Sequence, residues 1–167
     1  MIDLTRAVDL SSEESIELWR VTNDGVMGGL SEGCMLFDHD HGVFSGHISL
    51  ENNGGFSSVF RPVKGVPKKL HSIQIDVEGD GKCYQLRAVV FDNGYCLAYK
   101  QDFETIVGQR QVFTFPLTDF KASFRGRLIS NAPILASSDV REVGLLVNNH
   151  EAGEFALSVF RIEFLES

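Results

Sequence analysis

His71-Ser72-Ile73-Gln74-Ile75-Asp76-Val77-Glu78 decides the fold class. Ile73, Ile75 and Val77 alternate with Ser72, Gln74, Asp76 and Glu78. An extended chain sends every second side chain to the same face, so this run reads as a half-buried strand. The same period governs Val43-Phe44-Ser45-Gly46-His47-Ile48-Ser49-Leu50, with Phe44, Ile48 and Leu50 on one face and Ser45, His47 and Ser49 on the other. Further strand-like runs cover residues 56–61, 84–91, 95–100, 111–115, 143–147 and 155–164. The last carries Phe155, Leu157 and Val159 and then Phe160, Ile162 and Phe164. Apolar residues on both parities predict a central strand, or a bulge that switches the inward face.

Turn chemistry separates these runs. Asn93-Gly94 follows Asp92 between two of them, and Asn-Gly tolerates the positive φ angles of a two-residue hairpin turn. Asn53-Gly54-Gly55 and Gly79-Asp80-Gly81 read as further reversals. Helical signal is confined to residues 9–18, where Ser11 or Ser12 suits an N-cap and Glu13 and Glu14 suit the positive helix end. No alternation of strand and helix is visible, so the strands pair antiparallel. The expected fold is all-β: an antiparallel β-sandwich or jelly roll with little helix, in one domain over residues 1–167.

With 167 residues the chain is long enough to bury a core without disulfides or a metal. It carries 23 Asp and Glu against 15 Lys and Arg, a net charge of −8, which argues against a general nucleic-acid or anionic-membrane partner. The three cysteines, Cys34, Cys83 and Cys96, are odd in number and form no C-x-x-C pair, so reduced thiols are expected. Met1-Ile2-Asp3-Leu4-Thr5-Arg6 is not a basic region leading into an apolar run, and no stretch is long and apolar enough to span a membrane. The expected location is the cytoplasm.

No catalytic constellation assembles from spacing. Asp24-Gly25-Val26-Met27-Gly28-Gly29 fits neither the dinucleotide nor the phosphate-loop pattern. It reads as a compact loop, or as one whose bare backbone approaches a ligand. Gly42-Val43-Phe44-Ser45-Gly46 places its serine one position late for a nucleophile elbow. Asp38-His39-Asp40-His41 reads as a solvated hairpin turn, since adjacent side chains do not converge on a metal. Trp19 suits a core position, with an aromatic platform as the alternative. Phe124-Arg125-Gly126-Arg127 offers two guanidiniums that either hold local carboxylates or form a recognition spot. No catalytic residue, metal site or cofactor is expected.

Trp19-Arg20-Val21-Thr22-Asn23-Asp24-Gly25-Val26-Met27-Gly28-Gly29-Leu30-Ser31 resembles the signature of the complex I intermediate-associated protein 30 family. Phe44 to Val59, containing Asn52-Asn53-Gly54-Gly55-Phe56, resembles its second block. Gly79-Asp80-Gly81-Lys82 with Tyr84 is similar to the third. Pro116-Leu117 with Asp119-Phe120, then Phe124-Arg125-Gly126-Arg127, resemble later ones. Val143-Gly144-Leu145-Leu146 and Gly153-Glu154-Phe155-Ala156-Leu157 resemble the closing strands. The resemblance implies a galactose-binding-like β-sandwich and a stand-alone member of bacterial type. It also implies a non-enzymatic protein-binding module, an assembly factor or chaperone for respiratory complex I or another membrane complex. The expected partner is then an assembly intermediate. Trp19, Asp24, Met27, Asn52, Asn53, Phe56, Arg125 and Arg127 are the candidate binding residues, provided their loops meet at one end of the sandwich. The alternative is a carbohydrate-binding module, with Trp19, Asp24, Asn52 and Asn53 as the sugar-friendly groups.

Overall fold

In the computed structural model of the chain, Ile73, Ile75 and Val77 are fully buried in a strand, as their alternation predicts. The structure describes residues 7–23, 32–49, 56–92, 95–124, 127–129, 132–147 and 153–166, with the backbone alone at 22, 23, 32, 92, 95, 124 and 127. In chain order the elements are β1 (Ala7–Val8), α1 (Glu13–Ile16), β2 (Arg20–Asn23), β3 (Glu32–Asp38), β4 (His41–Ile48), β5 (Ser57–Pro62) and β6 (Ser72–Glu78). They continue as β7 (Cys83–Asp92), β8 (Tyr95–Glu104), β9 (Arg110–Pro116), β10 (Lys121–Phe124), β11 (Arg127–Leu128), β12 (Val140–Val147) and β13 (Gly153–Leu165).

The strands pair antiparallel in two sheets. One runs β3-β4-β13-β6-β9, with β1 beside β13; the other runs β11-β10-β8-β7-β12-β5-β2. The core lies between them. Phe44 meets Phe155 at 4.9 Å and Tyr84 at 6.4 Å, and Tyr84 stacks on Phe103 at 6.0 Å, so aromatic rings bridge the two layers. Offset and edge-on pairs of this kind suit the quadrupole of each ring. Trp19 lies in the same core, 7% exposed.

Both alternatives raised for residues 155–164 apply. β13 is central, pairing with β4 through Gly153–Val159 and with β6 from Ser158 onward. Its register shifts between Val159 and Arg161, which is how Phe155, Leu157, Val159, Ile162 and Phe164 all face inward. β7 and β8 pair antiparallel up to Asp92 opposite Tyr95, while Asn93-Gly94, where the tight turn is expected, lie outside the described residues. Asp38 likewise pairs with His41 across a turn in which His39 takes a φ of 57°. The helix is a single turn capped by Ser12, whose hydroxyl accepts from the Ser15 N–H at 3.2 Å. β3 was not expected, because Met35-Leu36-Phe37 breaks the alternation; Met35 is buried while Leu36 is 52% exposed.

Candidate functional site

Residues directly opposite in antiparallel strands present their side chains on the same face. Arg20 lies opposite Phe60, and Phe60 opposite Gly144. Gly144 lies opposite Arg87, which faces Lys100, which faces Lys121. Their strand neighbours Val59, Leu145, Leu86 and Tyr99 are buried, so this row crosses the outer face of the seven-stranded sheet. Ser58, Leu146, Gln85 and Asp102 form the row on one side. Glu142, Val89, Ala98 and Ser123 form the row on the other. Ser58, Gln85, Val89, Glu142 and Leu146 are buried although they point away from the core.

Each member of the central row has a distinct environment. Arg20 reaches over β5 to Glu142 on β12 with two hydrogen bonds, one of them 2.9 Å from Nη2 to Oε1. Its guanidinium sits 5.7 Å from the centre of the Phe60 ring. The Glu142 hydrogen bond holds the Arg20 pKa above its ordinary range. Phe60 lies across Gly144: a Cβ there would collide with the ring and stand 2.8 Å from the Val59 carbonyl oxygen. Arg87 is half-buried and donates from Nε and Nη2 to the Gln85 amide oxygen at 3.1 and 2.7 Å. Burial lowers its pKa, with Asp102 opposing. Lys100 Nζ stands 4.0 Å from Asp102, and exposed Lys121 has no ion pair among the described residues.

The third sequence block is built differently. The Asp80 carboxylate accepts from the Tyr84 hydroxyl at 2.8 Å, the Lys82 N–H at 3.2 Å and the Ala156 N–H at 2.9 Å. It thereby ties Tyr84 of β7 in one sheet to β13 in the other. Gly81 takes a φ of +89° in this turn, where a Cβ would be strained. Burial first, then Asp80, pushes the Tyr84 phenol far above its ordinary range. These groups hold the fold.

Reactive groupings are scarce. Desolvation, then Glu104, raises the Cys83 thiol, which disfavours the nucleophilic thiolate. A shallow depression of about 530 Å³ on the six-stranded sheet is lined by Cys34, Ser45, His47 and Glu154, with no hydrogen bond joining these four among the described residues. The described residues hold no cluster of three or more His, Cys, Asp or Glu able to take a metal. No helix among them is long and apolar enough to cross a membrane.

The model of the complex I intermediate-associated protein 30 family matches residues 8–159. The chain belongs to that family. No curated protein matches it. Among solved structures it is similar to a family 11 carbohydrate-binding module of Clostridium thermocellum bound to a β-1,3-1,4-mixed-linked tetrasaccharide. The identity is 11%, the TM-score 0.69, and 99% of this chain and 98% of that one are covered. The same module of the cellulosomal cellulase Lic26A-Cel5E superposes at TM-score 0.68 and 12% identity, over 96% and 95%. An exo-β-agarase gives 0.62 at 10% identity, over 98% of this chain and 25% of that one. At such identities the likeness shows the fold: a galactose-binding-like β-sandwich.

Within this family member, the described parts of the signature blocks are mostly scaffold. Trp19 packs in the core, so its ring is not presented to a partner; Phe56 is half-buried. Asp24, Met27, Asn52, Asn53 and Arg125 lie outside the described residues, as does the Arg127 side chain. β2 ends at Asn23 opposite Ser57, a level that continues through Val147 and Tyr84 to Phe103. β10 turns toward β11 beyond Ser123, which faces Ala98. Phe103 and Ala98 are separated by about 17 Å along β8 at a strand rise of ~3.4 Å. Ser123 of β10 therefore lies toward the opposite end of this sheet from Asn23 and Ser57. Phe60, Arg87, Lys100, Lys121 and Glu142 were missed. Their outward parity was readable within each run, but their alignment exists only in the register.

Proposed function

We propose that this chain is a non-enzymatic protein-binding module that assists assembly of a membrane complex, respiratory complex I being the first to test. The observation that supports this most directly is the family match across residues 8–159. The outer face of the seven-stranded sheet offers the binding surface, where fixed cations and apolar side chains lie side by side, as in directional protein interfaces. Asp24, Met27, Asn52, Asn53, Phe56, Arg125 and Arg127 are the further binding residues that the family resemblance suggests. Free Cys34, Cys83 and Cys96 fit a reducing cytoplasmic setting. The test is co-purification of tagged protein from gently crosslinked native lysate, comparing wild type with Asn52→Ala/Arg125→Ala. Recovery of respiratory-complex subunits, lost in the folded variant, is expected; recovery of the bait alone overturns the reading.

A second reading is carbohydrate binding. The Phe60 ring lying across Gly144 beside Gln85, Arg87 and Asp102 is a combination that can stack on and hydrogen-bond a sugar, and the similar modules are named for carbohydrate binding. Calorimetry with a mixed-linked β-glucan tetrasaccharide decides it: no heat at millimolar ligand removes this reading.

A further inference from the structure

We propose that Arg87, Lys100 and Lys121 form a docking strip for an acidic, extended segment of a partner protein, laid across β7, β8 and β10. The inference rests on the protein-binding reading and names the chemistry of the partner.

Like charges directly opposite in neighbouring strands repel and destabilise a sheet. Here three cations stand opposite one another in three consecutive strands. In a chain with 23 acidic against 15 basic residues, carboxylates to neutralise them are plentiful. Arg20, Arg110 and Arg161 do hold carboxylates, from Glu142, Asp76 and Glu163. The strip instead has Asp102 alone among the described residues, 4.0 Å from Lys100. Gln85 fixes the Arg87 guanidinium through two hydrogen bonds without neutralising it, and Arg87 Nη1 has no acceptor among the described residues. Burial of that guanidinium reduces screening, so an arriving carboxylate is attracted more strongly than at an open surface.

The dimensions select the ligand class. Three cations on adjacent strands span roughly 10 Å at ~4.8 Å per strand, too wide for one carboxylate or phosphate. A peptide bearing several acidic side chains matches that spread. On the same face, the next row presents half-buried Ala98 and, on β11, Leu128 at 62% exposure; beyond it Phe91 is 58% exposed opposite Cys96. Apolar side chains of the segment would cover this flank.

The test uses the full chain and a fluorescein-labelled peptide of alternating glutamate and leucine, read by anisotropy, with a lysine-leucine peptide as control. The acidic peptide is expected to bind, more weakly as salt rises, while the basic peptide does not. Lys100→Gln and Lys121→Gln are each expected to weaken binding by up to about fivefold, the upper end for a single ion pair near the surface. Lys121 is exposed, so its substitution leaves folding intact, and thermal melts check this for both. No binding, or binding unchanged in Lys100→Gln/Lys121→Gln, overturns the proposal. Binding of oligogalacturonate in place of the peptide overturns it as well. If the double variant still co-purifies membrane-complex subunits at wild-type level, the strip fails and the protein-binding reading survives. If the peptide binds through these lysines while co-purification yields only bait, the strip stands and the assembly reading falls.

Discussion

Asp80 shows what one residue of a family block contributes. Its carboxylate serves the Tyr84 hydroxyl, its own turn and the Ala156 N–H of β13. Hydrogen bonds to a charged acceptor contribute roughly 1.5–3 kcal/mol, so Tyr84→Phe should cost about 1.5 kcal/mol at neutral pH, measurable by urea unfolding. Its effect on pH dependence has the opposite sense. The folded phenol keeps its proton well above the range in which the unfolded one, at about 10, loses it. The folded state then binds more protons, and stability falls as pH rises above about 10. Tyr84→Phe should flatten that alkaline decline; an unchanged slope would show that another group causes it. The Gly-Asp-Gly turn was legible in the sequence as a reversal. Asp80's reach to Ala156 was not, because it depends on the pairing of β6 with β13, in which Glu78 faces Ser158.

The strands themselves were legible because period two is a local property, and residues 71–78 behave as their alternation demands. Cross-strand alignment is not local, and the candidate site is made of it. Gly144 reads in the sequence as one small residue in an apolar strand, yet it is where Phe60 crosses β12. Gly144→Ala should therefore destabilise by about 1–3 kcal/mol, the usual cost of overpacking. Phe60 can swing outward, but the Val59 carbonyl cannot, so equilibrium unfolding should register the loss even if the ring moves. Lys121→Glu should act in the other direction. Converting a facing cation pair to an opposite-charge pair with Lys100 should stabilise by roughly 0.2–1 kcal/mol and raise the melting temperature. The same variant should lose the acidic peptide. A gain in stability with retained peptide binding would separate the two roles assigned to the strip.

Across the whole molecule, the fold class followed from alternation, and the family from blocks in order along nearly the entire chain. The proposed binding face did not, since it is made of cross-strand register, while the described parts of the family blocks build the core. Trp19 illustrates this: the sole tryptophan is buried between the sheets rather than displayed. Its fluorescence should therefore be blue-shifted in the native state. If the two sheets behave as one domain, it should shift red in the same urea transition that far-ultraviolet circular dichroism reports. Separate midpoints would mean that the layers unfold independently. The placement of β13 adds a consequence for how the chain reaches this state. Ile48 pairs with Gly153 and Ile75 with Ile162, so β4 and β6 are joined only through a strand synthesised long after both. A ribosome-bound chain that has emitted β4 and β6 displays two unpaired edges until β13 emerges, the interval in which edge-to-edge association competes with folding. Topology of this non-local kind places folding in milliseconds to seconds rather than microseconds. A molecule read as a helper of other proteins' assembly thus completes its own six-stranded sheet only with the arrival of its central strand.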